Sequence, residues 1–402
     1  MSRLRPLPPT FHERVRERLR ARAEAAGLDG LLLLAAGNVT YATGWHFSVN
    51  ERPVGVWLPV DGDPLLLVPL LELENALDVP GHRVRTYEEF PGERPPVLWM
   101  IGEAVRSRTS TPSFGAGATT GGLRLAVDTF EAALLDEART LVTRLDLVDH
   151  VLPERAAKTD EELALIREAA RFADLVLERL LEVGGDIVAE GGTEAELMAD
   201  CTGTVRSRLH EVHGAAFQGT KMGITASVHS GPRAALPHGS VVRRRPRPGE
   251  PIVAGIGCSL GGYHAESGVT LVLGEIAPEQ RRVMQAMTEA NAATVDALGR
   301  GLPCSEVNDA ALGVLRAAGL GDAIRHRIGH GMGVEGHEAP WLAPGDPTPA
   351  APGMVFSCEP GVYRPGVDGW RTIDSLVVGA AGVEVASRFQ TTHPLDARTL
   401  PC

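Results

Sequence analysis

The chain has 402 residues, of which 44% are hydrophobic and 22% charged, which excludes a disordered or fibrous protein and suggests two globular domains. The formal net charge of −12 argues against a nucleic-acid partner, because phosphate contacts need clustered Lys and Arg. No stretch reaches the ~18 apolar residues that a membrane span needs, so we expect no membrane partner. The absence of a signal-peptide pattern and of any C-x-x-C motif among the five cysteines indicates free thiols in a reducing cytoplasm.

The N-terminal part of the chain alternates between helix and strand signals. A helix is predicted over residues 11–26, where apolar residues recur every fourth position (Phe11, Val15, Leu19). The apolar run at 28–35 has the length of a strand. Two further runs, 54–59 and 65–68, flank Asp61-Gly62-Asp63 and predict a hairpin. Together these signals predict an α/β domain over residues 1–152.

A second domain is predicted over residues 153–402, where pairs of helices alternate with short strand-like runs. Two rounds of helices followed by strands suggest an internal pseudo-repeat whose strands gather in one curved sheet. Four helix starts support this prediction, namely capping boxes at Thr159/Glu162 and Thr193/Glu196, Pro278 in a first turn, and a cap at Ser305.

The residues that favour chemistry are concentrated in the C-terminal half, where His and Glu lie among glycines. A lone histidine is usually a satisfied core or surface residue. Glycines beside polar residues let a backbone or a ligand approach closely, so the combination favours a site over a structural role. Four segments carry the pattern: Pro237-His238-Gly239, Gly262-Tyr263-His264-Ala265-Glu266, residues 329–338, and Cys358-Glu359-Pro360-Gly361.

The order of these segments resembles the pita-bread family, which includes creatinase, prolidase and aminopeptidase P. The resemblance is carried by Gly329-His330-Gly331-x-Gly333-x-x-x-His337-Glu338, by Glu359-Pro360-Gly361, and by Asn38-Val39-Thr40-Tyr41-Ala42-Thr43-Gly44. It implies an N-terminal creatinase-like α/β domain and a C-terminal pita-bread α+β domain with a curved antiparallel sheet and a pseudo-two-fold repeat. A homodimer is also the family expectation.

The resemblance further implies a set of metal ligands. Metallopeptidases of this family hold two ions with two Asp, one His and two Glu. On this chain the two Asp positions correspond to Gly255 and Glu266, while His330 and Glu359 are kept and Ile373 stands at the last Glu position. Two neighbouring cations need carboxylates to offset their repulsion, so the loss of two ligands makes a dinuclear site implausible.

Two finer expectations follow from this ligand set. Asp374 would not replace the missing Glu, because successive side chains of a strand face opposite sides. If a single Mn, Fe or Zn ion is bound, Glu266, His330 and Glu359 are expected to hold it. The main expectation is nevertheless that the site uses no metal.

That main expectation is a metal-independent, creatinase-like hydrolase of a C–N bond in a small cationic substrate, such as an amidine, a guanidine or a cyclic amide. His238 would be the general base. Glu266 and Glu359 would pair with the cation. His330 and His337 would orient the substrate and stabilise the developing charge.

Three further residues are candidates for substrate binding. His264 lies two positions before Glu266 on the same strand face, with a solvated edge residue as an equal alternative. Arg52 would bind a substrate carboxylate, although an ordinary surface arginine is the preferred interpretation. Arg371 would act likewise, or would brace Glu359.

Two other functions remain open from the sequence. The first is an Xaa-Pro aminopeptidase or prolidase that works with one metal ion, which predicts stimulation by Mn or Co. The second is a catalytically inactive pita-bread binding protein, which predicts no turnover despite an intact cleft. Retention of His238, His330, His337 and Glu359 argues against the second.

Overall fold

The computed structural model describes residues 4–109 and 122–402 and divides into two compact units. The first is Leu7–Arg155, and the second is Ala156–Cys402 together with residues 4–6. The domain boundary expected from the sequence lies at 152/153. Among the described residues, none of the helices combines the length and the apolar character that crossing a membrane requires. All five cysteines are free thiols, as expected, and only Cys402 is exposed.

The first unit is a six-stranded mixed sheet with helices packed against it. The sheet order is β4-β3-β2-β1-β5-β6. Its strands are β1 (Gly30–Leu33), β2 (Gly55–Pro59), β3 (Leu65–Pro69), β4 (Arg83–Tyr87), β5 (Arg124–Val127) and β6 (Arg144–Leu147). The helices up to the unit boundary are α1 (Pro9–Ala25), α2 (Ala36–Thr43), α3 (Leu73–Leu77), α4 (Pro96–Thr109), α5 (Leu135–Leu141) and α6 (Leu152–Ala156).

The elements predicted for this unit are confirmed. Helix α1 buries the apolar stripe Phe11, Val15 and Leu19. Strands β2 and β3 pair antiparallel as the predicted hairpin. The motif beginning at Asn38 has a structural role here, since its side-chain amide donates to Asp128 and Asp149.

The second unit contains two rounds of paired helices followed by strands, which confirms the predicted pattern. Its helices are α7 (Asp160–Ala189), α8 (Glu194–His213), α9 (Pro278–Gly299), α10 (Cys304–Ala317) and α11 (Phe389–Thr392). The first-round strands are β7 (Gly223–Ser230), β8 (Pro251–Leu260) and β9 (Tyr263–Leu273). The later strands are β10 (Gly329–Gly331), β11 (Glu338–Leu342), β12 (Val355–Cys358), β13 (Gly361–Arg364), β14 (Asp368–Arg371), β15 (Asp374–Gly379), β16 (Gly382–Val385) and β17 (Thr399–Leu400).

The strands form two main antiparallel groups that meet at one bridge. One group has the order β11-β10-β12-β15-β16, and the other has β8 at the centre of β9-β8-β7, with the short β17 added in parallel to β9. Strands β13 and β14 form a separate pair. Gly268 and Ile373 exchange two backbone hydrogen bonds of 3.0 Å, which joins the two groups. The predicted pita-bread fold with its curved sheet is therefore confirmed.

The helix starts agree with the sequence at three of four positions. The Thr159 amide donates to Glu162 at 2.7 Å and the Thr193 amide donates to Glu196 at 2.8 Å, as capping boxes require. Pro278 opens α9 as predicted. The predicted cap at Ser305 is wrong, because α10 already begins at Cys304 and its Ser305 amide donates to a distant carbonyl instead.

Candidate functional site

A tight hairpin places Glu266 in the second unit. Gly261 and Gly262, both with positive φ, turn the chain from β8 into β9. The register then sets Glu266 opposite Gly257. The backbone amide of Glu266 donates to Ser375 Oγ at 2.9 Å, and its carboxylate accepts from Ser357 Oγ at 2.9 Å. The carboxylate is therefore fixed against the neighbouring group of strands.

His330 lies in the middle of β10, between β11 and β12. A side chain at Gly329 would overlap the carbonyl of Ser357, so the flanking glycine allows the strands to pack this closely. The His330 Nδ1–H donates to the carbonyl of Gly331 at 3.0 Å. A carbonyl can only accept, so in the neutral ring the lone pair is on Nε2, as in a metal-ligating histidine.

The Nε2 atom of His330 faces Glu359. It lies 2.8 Å from Glu359 Oε1 and 3.8 Å from Glu266 Oε2. It is buried and has no well-aligned hydrogen bond to any described residue. A lone pair this close to a carboxylate is repulsive unless a positive charge, either a proton or a metal cation, lies between them.

His337 completes a cluster with these residues. Its Nε2 lies 3.9 Å from Glu266 Oε1, and its ring centre is 3.9 Å from that of His330. One ligand atom each from Glu266, His330 and His337 falls within 4.8 Å of the others. Burial, followed by the charge of His330, lowers the pKa of His337, which favours the neutral form that a ligand needs.

Burial and neighbouring charges push the two carboxyl groups in opposite directions. Burial raises the pKa of Glu266, and the negative charge of Glu359 adds to this effect. Burial also opposes ionisation of Glu359, but His330 and the guanidinium of Arg371 outweigh it and lower the pKa of Glu359. For His330, burial lowers the pKa, but the two carboxylates outweigh it and raise the pKa. The cluster thus favours a cation at its centre.

The two positions that have lost a metal ligand, Gly255 and Ile373, offer no side-chain ligand atom. Gly255 and Gly268 are a cross-strand pair two positions from Gly257 and Glu266, so all four share one face of the hairpin. Ile373 fills the space at Gly268, with its Cγ1 only 2.6 Å from where a Cβ would be. The guanidinium of Arg371 also lies against Gly255. We call Gly255, Ile373 and Arg371 the cation side, after this guanidinium. We call Glu266, His330, His337 and Glu359 the donor side, after their ligand atoms.

Asp374 does not replace the missing carboxylate, which confirms the expectation from strand alternation. Its two oxygens accept hydrogen bonds from Asn291 Nδ2 at 2.5 Å and from Ser387 Oγ at 2.8 Å. These bonds make the carboxyl part of an internal polar network. Its burial there raises its pKa to about 7.

A cavity of about 350 Å³ opens beside the cluster and has a basic wall. Glu359, His330 and His337 line it together with His238, His326 and three arginines, Arg325, Arg327 and Arg371. Among the described residues, none of these arginines has a carboxylate within 4.0 Å. Residues 325–327 carry no sequence motif that marks them as site residues, although they closely precede the Gly329-His330 motif. Such a wall suits an anionic group rather than a cation.

The donor set fits one divalent ion and does not fit two. Two carboxylates and two imidazoles suit borderline divalent ions such as Mn, Fe or Zn. The buried Nε2 of His330, which has no well-aligned hydrogen bond, and the oriented Nδ1–H are the features that such an ion requires. A second ion would find no carboxylate at the two missing ligand positions, which hold Gly255 and the aliphatic side chain of Ile373. Compared with the expected single-ion set, the structure adds His337.

Three other predicted site residues lie outside the donor side. His238 is exposed and lines the cavity. His264 does not line the cavity; it contacts the carbonyl of Gly333 at 3.1 Å, and burial lowers its pKa to about 4. Arg52 belongs to the first unit, where it pairs with Glu51 and, at 3.0 Å, with Glu89. The roles of all three stay predictions.

Comparisons with known proteins identify related chains over almost the whole length. The model of metallopeptidase family M24 matches residues 164–380, and that of the creatinase/prolidase N-terminal domain matches residues 16–148. A probable dipeptidase, PepE, from Mycobacterium tuberculosis is 31% identical over 364 residues, which cover 89% of each chain.

Solved structures agree with this relationship. Dipeptidase PepE from Mycobacterium ulcerans is similar with a TM-score of 0.81 and 27% identity, covering 99% of this chain and 100% of that one. A prolidase from Thermococcus sibiricus has a TM-score of 0.76 and 24% identity, with 94% and 96% covered. At that identity the prolidase shows the fold alone.

These findings overturn two expectations from the sequence. A metal-independent, creatinase-type hydrolase is wrong, because the matching family is one of metallopeptidases and the relatives at higher identity are dipeptidases by name. The expectation of no metal fails for the same reason, and Glu266, His330 and His337 form a cluster that could hold one ion. The expectation of a cationic substrate rested on the two carboxylates alone. It did not include the three arginines that line the same cavity as Glu359.

Proposed function

Because this chain belongs to metallopeptidase family M24, we propose that it is a dipeptidase that hydrolyses its substrate with a single divalent metal ion. The observation that carries the proposal is the donor side, where a buried imidazole nitrogen without a well-aligned hydrogen bond faces two carboxylates beside a basic cavity. The ion would be held by Glu266 and His330, with His337 and Glu359 completing the set. When bound, it would polarise a carbonyl group and acidify water.

The basic wall of the cavity supports a small substrate with a free carboxylate. The volume of about 350 Å³ is suited to a dipeptide. Arg325 and Arg327 would bind its terminal carboxylate, because a guanidinium donates two parallel hydrogen bonds to that group. Stacking on Trp341, 4.7 Å from the ring centre, and a 3.0 Å bond to the carbonyl of Gly329 orient Arg327.

Proton transfer is the role proposed for His238. Its imidazole is exposed in the cavity wall, within the same space as the donor side. It would accept a proton from the attacking water and return it to the leaving amine. His264 would stay neutral and outside the reaction, because its burial disfavours the charged form. Cytoplasmic location and a homodimer remain predictions.

A hydrolysis assay on the purified protein tests this proposal. A panel of dipeptides, including Xaa-Pro members, would be compared with the corresponding dipeptide amides, before and after removal of metal with a chelator. We expect cleavage of free dipeptides, at least about tenfold slower cleavage of the amides, and recovery of chelator-treated protein on adding Mn or Zn. His330→Gln is the matched inactive variant. Cleavage that persists after metal removal, or no cleavage with any added ion, would overturn the proposal.

A further inference from the structure

The cation side contains a guanidinium where a side chain is missing. On β8, Gly255 faces the same side of the sheet as Glu266. A methyl group at position 255 would overlap Nη2 of Arg371 and would lie 3.3 Å from Ser227 Oγ. Glycine at this position is therefore what lets the guanidinium of Arg371 lie against the strand.

The backbone of Arg371 is held firmly at the end of β14. Its amide donates to Thr270 Oγ1 at 2.9 Å, and the same hydroxyl donates to its carbonyl at 2.8 Å. The preceding residue, Trp370, is fully buried in the hydrophobic core of the unit. The side chain therefore leaves from a rigid base toward the cavity, which it lines together with Glu359 and His330.

This guanidinium is buried without a carboxylate partner. Arg371 is 7% exposed, its Nε has no hydrogen bond, and among the described residues no carboxylate lies within 4.0 Å of it. Burial of an unpaired charge is costly unless negative charge nearby, or a ligand, offsets it. The two carboxylates of the donor side supply part of that offset, and an anionic group in the cavity would supply the rest.

The charges of the site balance with one ion and this arginine. Two carboxylates, one guanidinium and one divalent ion leave a single positive charge when the histidines are neutral. A carbonyl oxygen under attack by water develops a single negative charge. A second divalent ion would add two further positive charges next to the guanidinium, with no ligand atom from Gly255 or Ile373 to offset them.

We infer that the guanidinium of Arg371 acts as the second cation of this site, made possible by Gly255, and stabilises the negative charge that develops on the substrate oxygen. The site accordingly takes one metal ion per chain. This inference rests on the proposed function and names a catalytic group for it. Preorganised donors of this kind contribute strongly to the rate, because they need no rearrangement during the reaction.

Arg371→Met tests the inference, because methionine fills similar space without the charge. Removal of the charge lowers the repulsion on the bound ion, so we expect Mn to bind roughly tenfold more tightly in calorimetric titrations of the metal-free protein. Turnover of a dipeptide should fall by about 10²- to 10³-fold. A residue that only braces the site would instead lose ion affinity and turnover together.

Two further variants separate the charge from the fold. Gly255→Ala keeps every charge but pushes the guanidinium away, and should lower turnover with little change in unfolding temperature. Arg371→Ala opens a space that added guanidinium ion should enter, restoring turnover at least about tenfold. Arg167→Met, at an exposed ion pair with Glu384, is the matched control for losing an arginine. It should change neither Mn affinity nor turnover.

The outcomes distinguish this inference from the proposed function. Two ions per wild-type chain, wild-type turnover in Arg371→Met, or weaker Mn binding in that variant would each overturn the inference while dipeptide hydrolysis by the wild type stands. If the wild type hydrolyses no dipeptide but binds one ion, and Arg371→Met binds it more tightly, the proposed function fails and the placement of the second cation is supported.

Discussion

The donor side and the cation side face each other across one site but differ in what fixes them. On the donor side, His330 and Glu359 are 2.8 Å apart, and each belongs to a glycine-flanked motif that brings backbone close to backbone. On the cation side, Gly255 and Ile373 offer no ligand atom, and Arg371 fills the space that results. Under the proposed function, the loss of ligands on the cation side does not abolish the metal site. It reduces that site to one ion, because the guanidinium of Arg371 occupies the vacated space.

The largest effect is expected from removing the central donor. His330→Gln replaces the imidazole whose buried Nε2 is the proposed ligand and should abolish tight metal binding, with turnover falling by roughly 10³-fold or more. Metal content by mass spectrometry and dipeptide hydrolysis measure the two effects. His393→Gln, a change at a histidine that directly follows α11 and stacks on Phe389, should leave both unchanged. A fully metal-loaded His330→Gln protein would contradict the proposal that the donor side holds the ion.

A large loss of stability is expected at the ion pair behind the donor side. Lys158 Nζ lies 2.9 Å from Glu338 Oε1, and each side chain is 1% exposed. Glu338 directly follows His337, so the pair anchors this segment. Lys158→Met should lower the free energy of unfolding by about 3–5 kcal/mol, because the buried carboxylate of Glu338 loses its cationic partner.

The paired variant provides the control for that measurement. Lys158→Met combined with Glu338→Leu removes both charges and should recover most of the loss in urea unfolding. Equal destabilisation in the single and double variants would mean that packing, rather than the buried charge, determines the effect.

A moderate effect with a definite sign is expected at Asp374, beside the cation side. Its pKa is raised to about 7 by burial, so its protonated form stabilises the fold. That contribution is fully present below the unfolded pKa of about 3.8 and is lost as the pH rises through about 7. Between these two pKa values, the free energy of unfolding should therefore fall less steeply with rising pH in Asp374→Asn than in the wild type.

The same variant also separates Asp374 from the ligands. Metal affinity of Asp374→Asn should match that of the wild type, whereas Glu266→Gln should lose most of it. An unchanged pH slope in the variant, or a loss of the ion, would show that Asp374 has a different role from the one its hydrogen bonds indicate.

The smallest effect is expected on the surface of α7. Arg167 and Glu384 are paired at 2.8 Å but both are about four-tenths exposed, with side-chain values of 42% and 41%. Arg167→Met should change the free energy of unfolding by less than about 1 kcal/mol in urea titrations, since solvent screens the pair. A change of several kcal/mol would mean that surface charge matters as much as the buried pair.

Much of the fold was predictable from local patterns. Capping boxes, the four-residue spacing of Phe11, Val15 and Leu19, and the hairpin around Gly62 depend on neighbours in sequence. The glycine-flanked motifs likewise brought His330 and Glu359 into one site. The prediction of a cap at Ser305 failed because the cap position of α10 is two residues earlier, at Pro303, which has no side-chain cap hydrogen bond.

The rest of the site depends on long-range packing that no local pattern records. The contact between Arg371 and Gly255 joins β14 to β8, more than a hundred positions apart in sequence. The arginines at 325 and 327 enter the cavity only because β10 places them there. Without them, the two carboxylates favoured a cationic substrate, and that prediction was wrong.

The most direct test of the central claim is the number of ions that the protein needs for dipeptide hydrolysis. Metal-free protein would be titrated with Mn while binding heat and hydrolysis of a dipeptide are followed together. Activity should appear and saturate at one ion per chain. Hydrolysis without any ion, or activity that appears only with a second ion, would contradict the central claim.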